Sequence, residues 1–301
     1  MPLPNLDLHN LEEVVLEKCD SFVRLSVWPS SQQLNFRGWI DNFSDDQDRT
    51  YALHLLNSFT FYNSELCSAL LFGAIQSLSI PHSRLETMNE SLLAWDADLR
   101  RTIFVPVEGE KPNITDSGIM LAGMVRRRLQ IPEDRIKSFD QLLQAIAAGR
   151  SGITRVVFFD DFIGSGQQFI RLLLTPRMNN VPYDIILSAG CEIRYCCFVA
   201  TAYGLRNIEG SLPDAKVQSS HVIDETHSVV APNSRVWPNE LRSGVDDFIL
   251  RSSRRAGIPD HNRLGFHNLG LALAFDHTIP DASLPIFYNS TSDWIPLMRR
   301  T

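Results

Sequence analysis

The sequence is poor in cysteine, and its five cysteines (Cys19, Cys67, Cys191, Cys196, Cys197) form no CxxC pair. An odd count without redox or metal spacing argues against a disulfide framework and for reduced thiols in a cytoplasm. Cys191, Cys196 and Cys197 offer either metal ligands or strand residues, and their setting, "IRYCCFVA", reads as sheet core. Positive charge is not in excess either: 28 Lys and Arg face 35 Asp and Glu, a net charge of -7. That removes a global pull toward nucleic acid, so any such contact needs a local basic patch. The opening "MPLPNLDLHNLEEVV" lacks a basic leader with an apolar stretch behind it, and no apolar run is long enough to span a bilayer. A soluble cytoplasmic protein without a membrane partner is expected. Three motifs are also missing: GxxxxGK, GxGxxG and the GxSxG elbow of hydrolases. No internal repeat or low-complexity tract is visible.

What is present is a 301-residue chain with a hydrophobic fraction of 44%, enough for a packed core or two. The first hundred or so residues read as helices. Ala52, Leu55, Leu56, Phe59 and Tyr62 form one apolar stripe, and Ser64 is a candidate N-cap for the next helix. Asp45, Asp46 and Asp48 suit the start of the first of these helices but would repel phosphate. The pattern fits a small helical packing domain or a DNA-binding winged helix.

Beyond Asp96 to Arg100 the texture changes. "RRTIFVPV", "ITRVVFFDD", "EIRYCCFVATAYG" and "AKVQSSHVID" read as strands, and "IMLAGMVRRRL", "FDQLLQAIAAG" and "SGQQFIRLLL" as helices between them. Continuous apolar strands alternating with helices indicate an α/β domain with a parallel sheet covered on both faces. "GFHNLGLALAFDHTIPDASLPIFY" should add one or two strands. The expected division is a mainly helical domain over 1–97 and an α/β domain with a C-terminal strand extension over 98–301.

The segment "VVFFDDFIGSGQQF" (Val156 to Phe169) carries the chemistry. Parallel sheets bind ligands outside the carboxyl ends of their strands. Two adjacent carboxylates about 4 Å apart repel by roughly 4 kcal/mol at an effective dielectric near 20. Asp160 and Asp161 are therefore expected in a cleft, where hydroxyl donors or a divalent cation can meet them. Gly164 and Gly166 allow close approach, the helix behind them presents free N–H groups, and Ser165, Gln167 and Gln168 add donors. Together they make an anion cradle sized for one phosphate. A ribose 5-phosphate satisfies acids and cradle at once.

This stretch resembles the phosphoribosyl-diphosphate motif of type I phosphoribosyltransferases: apolar strand, two acids, two apolar residues, then a phosphate loop. The resemblance implies that Asp160 and Asp161 contact ribose hydroxyls and act as the catalytic pair. It places Ile163, Gly164, Ser165, Gly166, Gln167 and Gln168 around the 5-phosphate. Gln167 and Gln168 depart from the small residues common in that loop. By position, "VEGEKPNITDSG" matches the family's pyrophosphate loop, with Glu108, Ser117 and Gly118 as candidates; a solvated loop is the alternative. The resemblance further implies Mg2+, with Asp160 as candidate ligand, and transfer or cleavage at the ribose C1 carbon.

Over most of its length the chain also resembles the phosphoribosyltransferase-like proteins of bacterial conflict systems, including retron effectors. That likeness rests on the helical N-terminal region, "DDFIGSGQQ" and the "GFHNLG…W" tail. It implies a winged-helix-like N-terminal domain and an antiphage, toxin-like effector. Its partners would be a ribose-phosphate or nucleotide ligand, and a reverse transcriptase with its RNA-linked DNA. The competing readings are a non-catalytic nucleotide- or nucleic-acid-binding module and a DNA-binding regulator. His221 and His227 flank "VIDET" as a possible substrate site or a surface loop. Three arginine clusters, at Arg126–Arg128, at Arg251, Arg254 and Arg255, and at Arg299–Arg300, are solvated faces or local polyanion contacts.

Overall fold

The N-terminal segment is helical, as its apolar spacing predicts. In the computed structural model α1 (Leu8–Arg24), α2 (Phe36–Ile40) and α3 (Asp46–Ser58) precede the short strand β1 (Thr60–Tyr62), and α4 (Ser64–Ser77) and α5 (Met88–Arg100) follow it. The structure describes residues 7–77, 87–108, 117–149, 152–177 and 179–300. Asp45 caps α3 by accepting from the Gln47 and Asp48 N–H groups at 3.0 Å each, so the acidic run serves the helix start. Ala52, Leu55 and Leu56 are buried on α3, but the helix stops at Ser58, and Phe59 and Tyr62 reach the core from outside it. Asn63, not Ser64, caps α4: its Oδ1 accepts from the Leu66 N–H at 2.9 Å.

The four predicted strands form one parallel sheet. β2 (Thr102–Pro106), β3 (Arg155–Ile163), β4 (Glu192–Thr201) and β5 (Ala215–Ile223) lie in that order. Between them come α6 (Ser117–Leu129), α7 (Phe139–Ala147), α8 (Gln167–Leu174), α9 (Pro182–Ser188) and α10 (Ala202–Ser211). Strands added successively in one direction by right-handed crossovers put their crossover helices on one face. Accordingly Phe139, Leu142, Phe169, Leu173, Ile186 and Ile208 of α7 to α10 pack with Ile103, Val156, Phe158, Ile193 and Tyr195 of the sheet. Phe104, Val157, Phe159, Cys196 and Phe198 alternate to the opposite face. There α6 lies along β2 and β3, burying Leu121, Val125 and Leu129. The cysteines at 191, 196 and 197 are buried, the last two on β4 as a strand reading requires and Cys191 just before it, and burial pushes the thiols of Cys196 and Cys197 up, so they stay protonated.

The two compact units of the chain depart from the 1–97 and 98–301 division. One is Cys67–Ile223, which holds the sheet; the other joins Met1–Leu66 to Asp224–Thr301. The expected C-terminal strand does form, as β6 (Leu273–Phe275), after α11 (Val245–Arg255), but it pairs in parallel with β1 instead of extending the main sheet. Aromatic content explains the partnership. Trp39 and Phe43 of the N-terminal segment pack on Phe287 and Trp294 of the tail, each pair with ring centroids 5.4 Å apart. The indole N–H groups of Trp39 and Trp294 both donate to the Ile286 carbonyl, at 2.9 and 3.0 Å. The winged-helix expectation finds no antiparallel hairpin wing among the described residues of 1–97; their strand β1 is committed to β6.

Candidate functional site

Neighbouring strands β2 and β3 send their following helices to opposite faces of the sheet, α6 to one and α8 to the other. Loops that diverge in this way leave a crevice outside the carboxyl ends, where parallel α/β sheets hold ligands. Asp161 and the start of α8 border it from β3; Glu108 and the start of α6 border it from β2.

The two aspartates differ in burial. β3 does not end at them but runs on to Ile163, in register with β4 through Asp160 opposite Cys197 and Ile163 opposite Ala200. Strand alternation starts the two side chains on different sides, yet their carboxyl groups stay within hydrogen-bonding reach of each other. Asp160 is only 5% exposed. Its Oδ2 accepts from the Tyr195 hydroxyl at 3.1 Å and its Oδ1 from the Asp161 N–H at 2.9 Å. Burial, and then the charge of Asp161, raise the Asp160 carboxyl well above the usual carboxylate range. A neutral buried acid removes the electrostatic conflict that two exposed carboxylates were expected to resolve. Among the described residues no three His, Cys, Asp or Glu side chains gather as a metal set. Half-buried Asp161 is the acid on the crevice side.

The loop expected to cradle a phosphate presents fewer side chains than its sequence implies. Ser165 is 5% exposed and Ile163 is 2% exposed, so neither side chain is presented outward. The loop is pinned to α10 instead. Thr201 donates through Oγ1 to the Gly164 carbonyl, and Asn207 through Nδ2 to the Ser165 carbonyl at 3.0 Å. Gly166 is left-handed, at φ 75°, and a Cβ there would lie 2.8 Å from the Gly204 carbonyl oxygen. Its glycine is thus required by helix packing as well as by the turn. No side chain caps α8, whose first-turn N–H groups face the crevice end. The Gln167 N–H has a long 3.4 Å contact to Ser165 Oγ, and Gln167 and Gln168 themselves are the accessible side chains.

Gln168 joins the two loops: its Nε2 donates to the Glu108 carbonyl at 3.0 Å. The Glu108 carboxylate turns away and meets the Phe139 N–H at the start of α7, at 3.4 Å. Ser117 and Gly118 open α6 beside the end of β2, where a Cβ on Gly118 would sit 3.2 Å from Pro106 Cβ. The candidates of both loops thus converge at one end of the sheet, with Asp160 and Ile163 turned into the core. Glu110 and Lys111 lie outside the described residues.

Sequence reasoning missed Tyr195, Thr201, Gly204 and Asn207, which hold the acids and the loop. "EIRYCCFVATAYG" has the apolar pattern of one strand, but it breaks at Thr201, whose hydroxyl accepts from the Gly204 N–H at 2.8 Å and caps α10. The Thr-x-x-Gly spacing is the signal that would have found it. His227 is held in a turn by Asp224 at 3.0 Å, and the Thr226 hydroxyl leads the contacts that hold Asp224 down to about 2. The surface-loop reading fits His227, whereas His221 lies within β5. The second arginine cluster is engaged internally. Arg251 pairs with Asp48, Arg254 with Asp260, and Arg255 donates to the Asn42 carbonyl while lying over Phe43 and Trp294.

The family whose pattern matches the chain is PRTase-CE, over residues 36–300. Among solved structures, the AQ2163 protein from Aquifex aeolicus is similar at 11% identity and a TM-score of 0.29, covering 63% of this chain and 84% of its own. No curated protein matches. No helix among the described residues is long and apolar enough to cross a membrane.

Proposed function

The chain belongs to the PRTase-CE family, of phosphoribosyltransferase-like proteins, and from that premise we propose that the crevice between β2 and β3 takes a ribose-phosphate or nucleotide ligand for chemistry at the ribose C1 carbon. The observation that carries the reading is the convergence of Asp161, the uncapped start of α8 and the Glu108 loop at adjacent strand ends. In this scheme Asp161 accepts from the ribose hydroxyls, and the N–H groups of Gln167 and Gln168 hold the 5-phosphate. Gln168 sets the distance between the loops. Asp160 positions Asp161 through its backbone N–H instead of touching the sugar. Orientation of the reacting groups supplies the rate, up to roughly 7–11 kcal/mol in favourable cases.

Within the same proposal the protein is an antiphage effector of the retron type, restrained by a reverse transcriptase and its RNA-linked DNA. What supports this is the family together with the tail and motif resemblance. A second reading, a module that binds a nucleotide without turnover, is favoured by the burial of Asp160 and Ser165. Titration calorimetry with phosphoribosyl diphosphate tests the site. Asp161→Asn is expected to weaken binding by roughly tenfold, about 1.4 kcal/mol, with unchanged folding; equal affinity in the variant rejects the site. Comparison of metabolites in cells with and without the active protein then separates turnover from binding.

A further inference from the structure

The unit formed by the two ends of the chain contains a pocket of its own. About 470 Å3 in volume, it opens between residues 257–268 and 281–289, a size typical of small-molecule sites. One wall is a turn held in unusual backbone geometry. His267, at φ 53° and ψ 21°, and Asn268, at φ 54°, are adjacent non-glycine residues in the left-handed region. Such conformations are disfavoured for L-residues and persist where surrounding structure enforces them, most often at ligand sites. Here the enforcement is visible. The Phe266 N–H donates to the Asp281 carbonyl at 2.7 Å, and a Cβ on Gly265 would lie 2.5 Å from that same oxygen.

The consequence of the turn is to present Phe266. This large aromatic side chain is 44% exposed at the pocket, with the His267 ring edge-on to it at 4.4 Å. Ile258 and Pro285 add buried apolar lining to the pocket. The polar lining comes from the amides of Asn262, Asn268 and Asn289 and the carboxylate of Asp281. Asn289 is oriented by donating through Nδ2 to the Ala256 carbonyl, which leaves its Oδ1 to accept. No lysine or arginine is among the residues lining the pocket, where His261 and His267 are the lining side chains able to take up positive charge and the Asp281 carboxylate opposes a phosphate.

A ligand matching this set is flat, uncharged and edged with both donors and acceptors. Aromatic faces stack on bases, and asparagine amides pair with base edges in both directions. We propose that this pocket binds a nucleobase presented as a nucleoside, as a site independent of the crevice at β2 and β3 and of the chemistry assigned to it.

The test is titration calorimetry of the full chain with adenosine, guanosine, cytidine and uridine, each paired with its 5′-monophosphate. At least one nucleoside should bind one to one, and more tightly than its monophosphate. Phe266→Ala should weaken it by roughly tenfold, the effect of losing one stacking partner, at an unchanged melting temperature. His267→Gly relieves the left-handed strain, so it should melt at the same or a higher temperature and yet bind more weakly; this variant decides the matter if Phe266→Ala folds poorly. Asp161→Asn should leave nucleoside binding intact. The proposal is overturned if no nucleoside binds, if His267→Gly and Phe266→Ala bind as the wild type does, or if Asp161→Asn abolishes binding.

Discussion

At the scale of single residues, Asp160 decides how the opening acidic pair works. A carboxyl whose folded pKa is raised binds its proton more tightly in the folded chain than in the unfolded one. Its contribution to stability is therefore complete at low pH and declines as pH rises above the unfolded value of about 4. Asp160→Asn removes that slope while keeping a similar shape. The melting temperature of this variant relative to wild type is expected to climb as pH is raised from about 4 to neutrality. Parallel curves across that range would contradict a buried neutral acid. The Tyr195 hydroxyl bond favours the charged form of Asp160, so Tyr195→Phe should extend the wild-type slope to higher pH.

At the scale of elements, the loop between β3 and α8 is shaped from behind by α10. A Cβ on Gly204 would come within 2.8 Å of Ile163 Cγ2 and nearer still to the Gly164 carbonyl, whereas a Cβ on Gly210, on the same helix, meets nothing within 4 Å. Gly204→Ala should therefore cost about 1–3 kcal/mol, the usual range for overpacking. It should also weaken ribose 5-phosphate binding, although Gly204 is assigned no ligand contact. Gly210→Ala is the matched control and should be neutral or stabilising by about 0.5–1 kcal/mol. Thermal unfolding and calorimetry on the two variants check both halves. This dependence was only partly legible in the sequence. "DDFIGSGQQ" announced a strand, a turn and a helix start. That Gly166 answers to a neighbouring helix could not be read without knowing that α10 lies against it.

At the scale of the whole molecule, the two ends of the chain share one core. Tyr51 stacks on Phe248 with centroids 5.0 Å apart, and Phe43 meets Trp294 at 5.4 Å. A fragment of residues 1–97 leaves these partners behind and is expected to lack cooperative unfolding by circular dichroism. Residues 224–301 supplied in trans should restore it. A sharp thermal transition for 1–97 alone would show that the N-terminal helices need no tail. In the intact chain, Trp294→Ala should cost about 3–5 kcal/mol, a large share of the roughly 5–15 kcal/mol that stabilises a typical domain.

The sequence by itself determined what local physics can determine. Apolar runs bounded by turn residues specified the four strands, apolar periodicity the helices, and the strand-acids-glycine-helix order the place of the candidate site. Only the tertiary structure decided the rest, because each remaining question concerns residues far apart in the chain. Strand alternation, together with the distant Tyr195 hydroxyl, put Asp160 inside and left Asp161 at the crevice. Opposite departures of α6 and α8 made the crevice. Complementary aromatics, more than two hundred positions apart, sent the C-terminal strand to β1 and not to the main sheet.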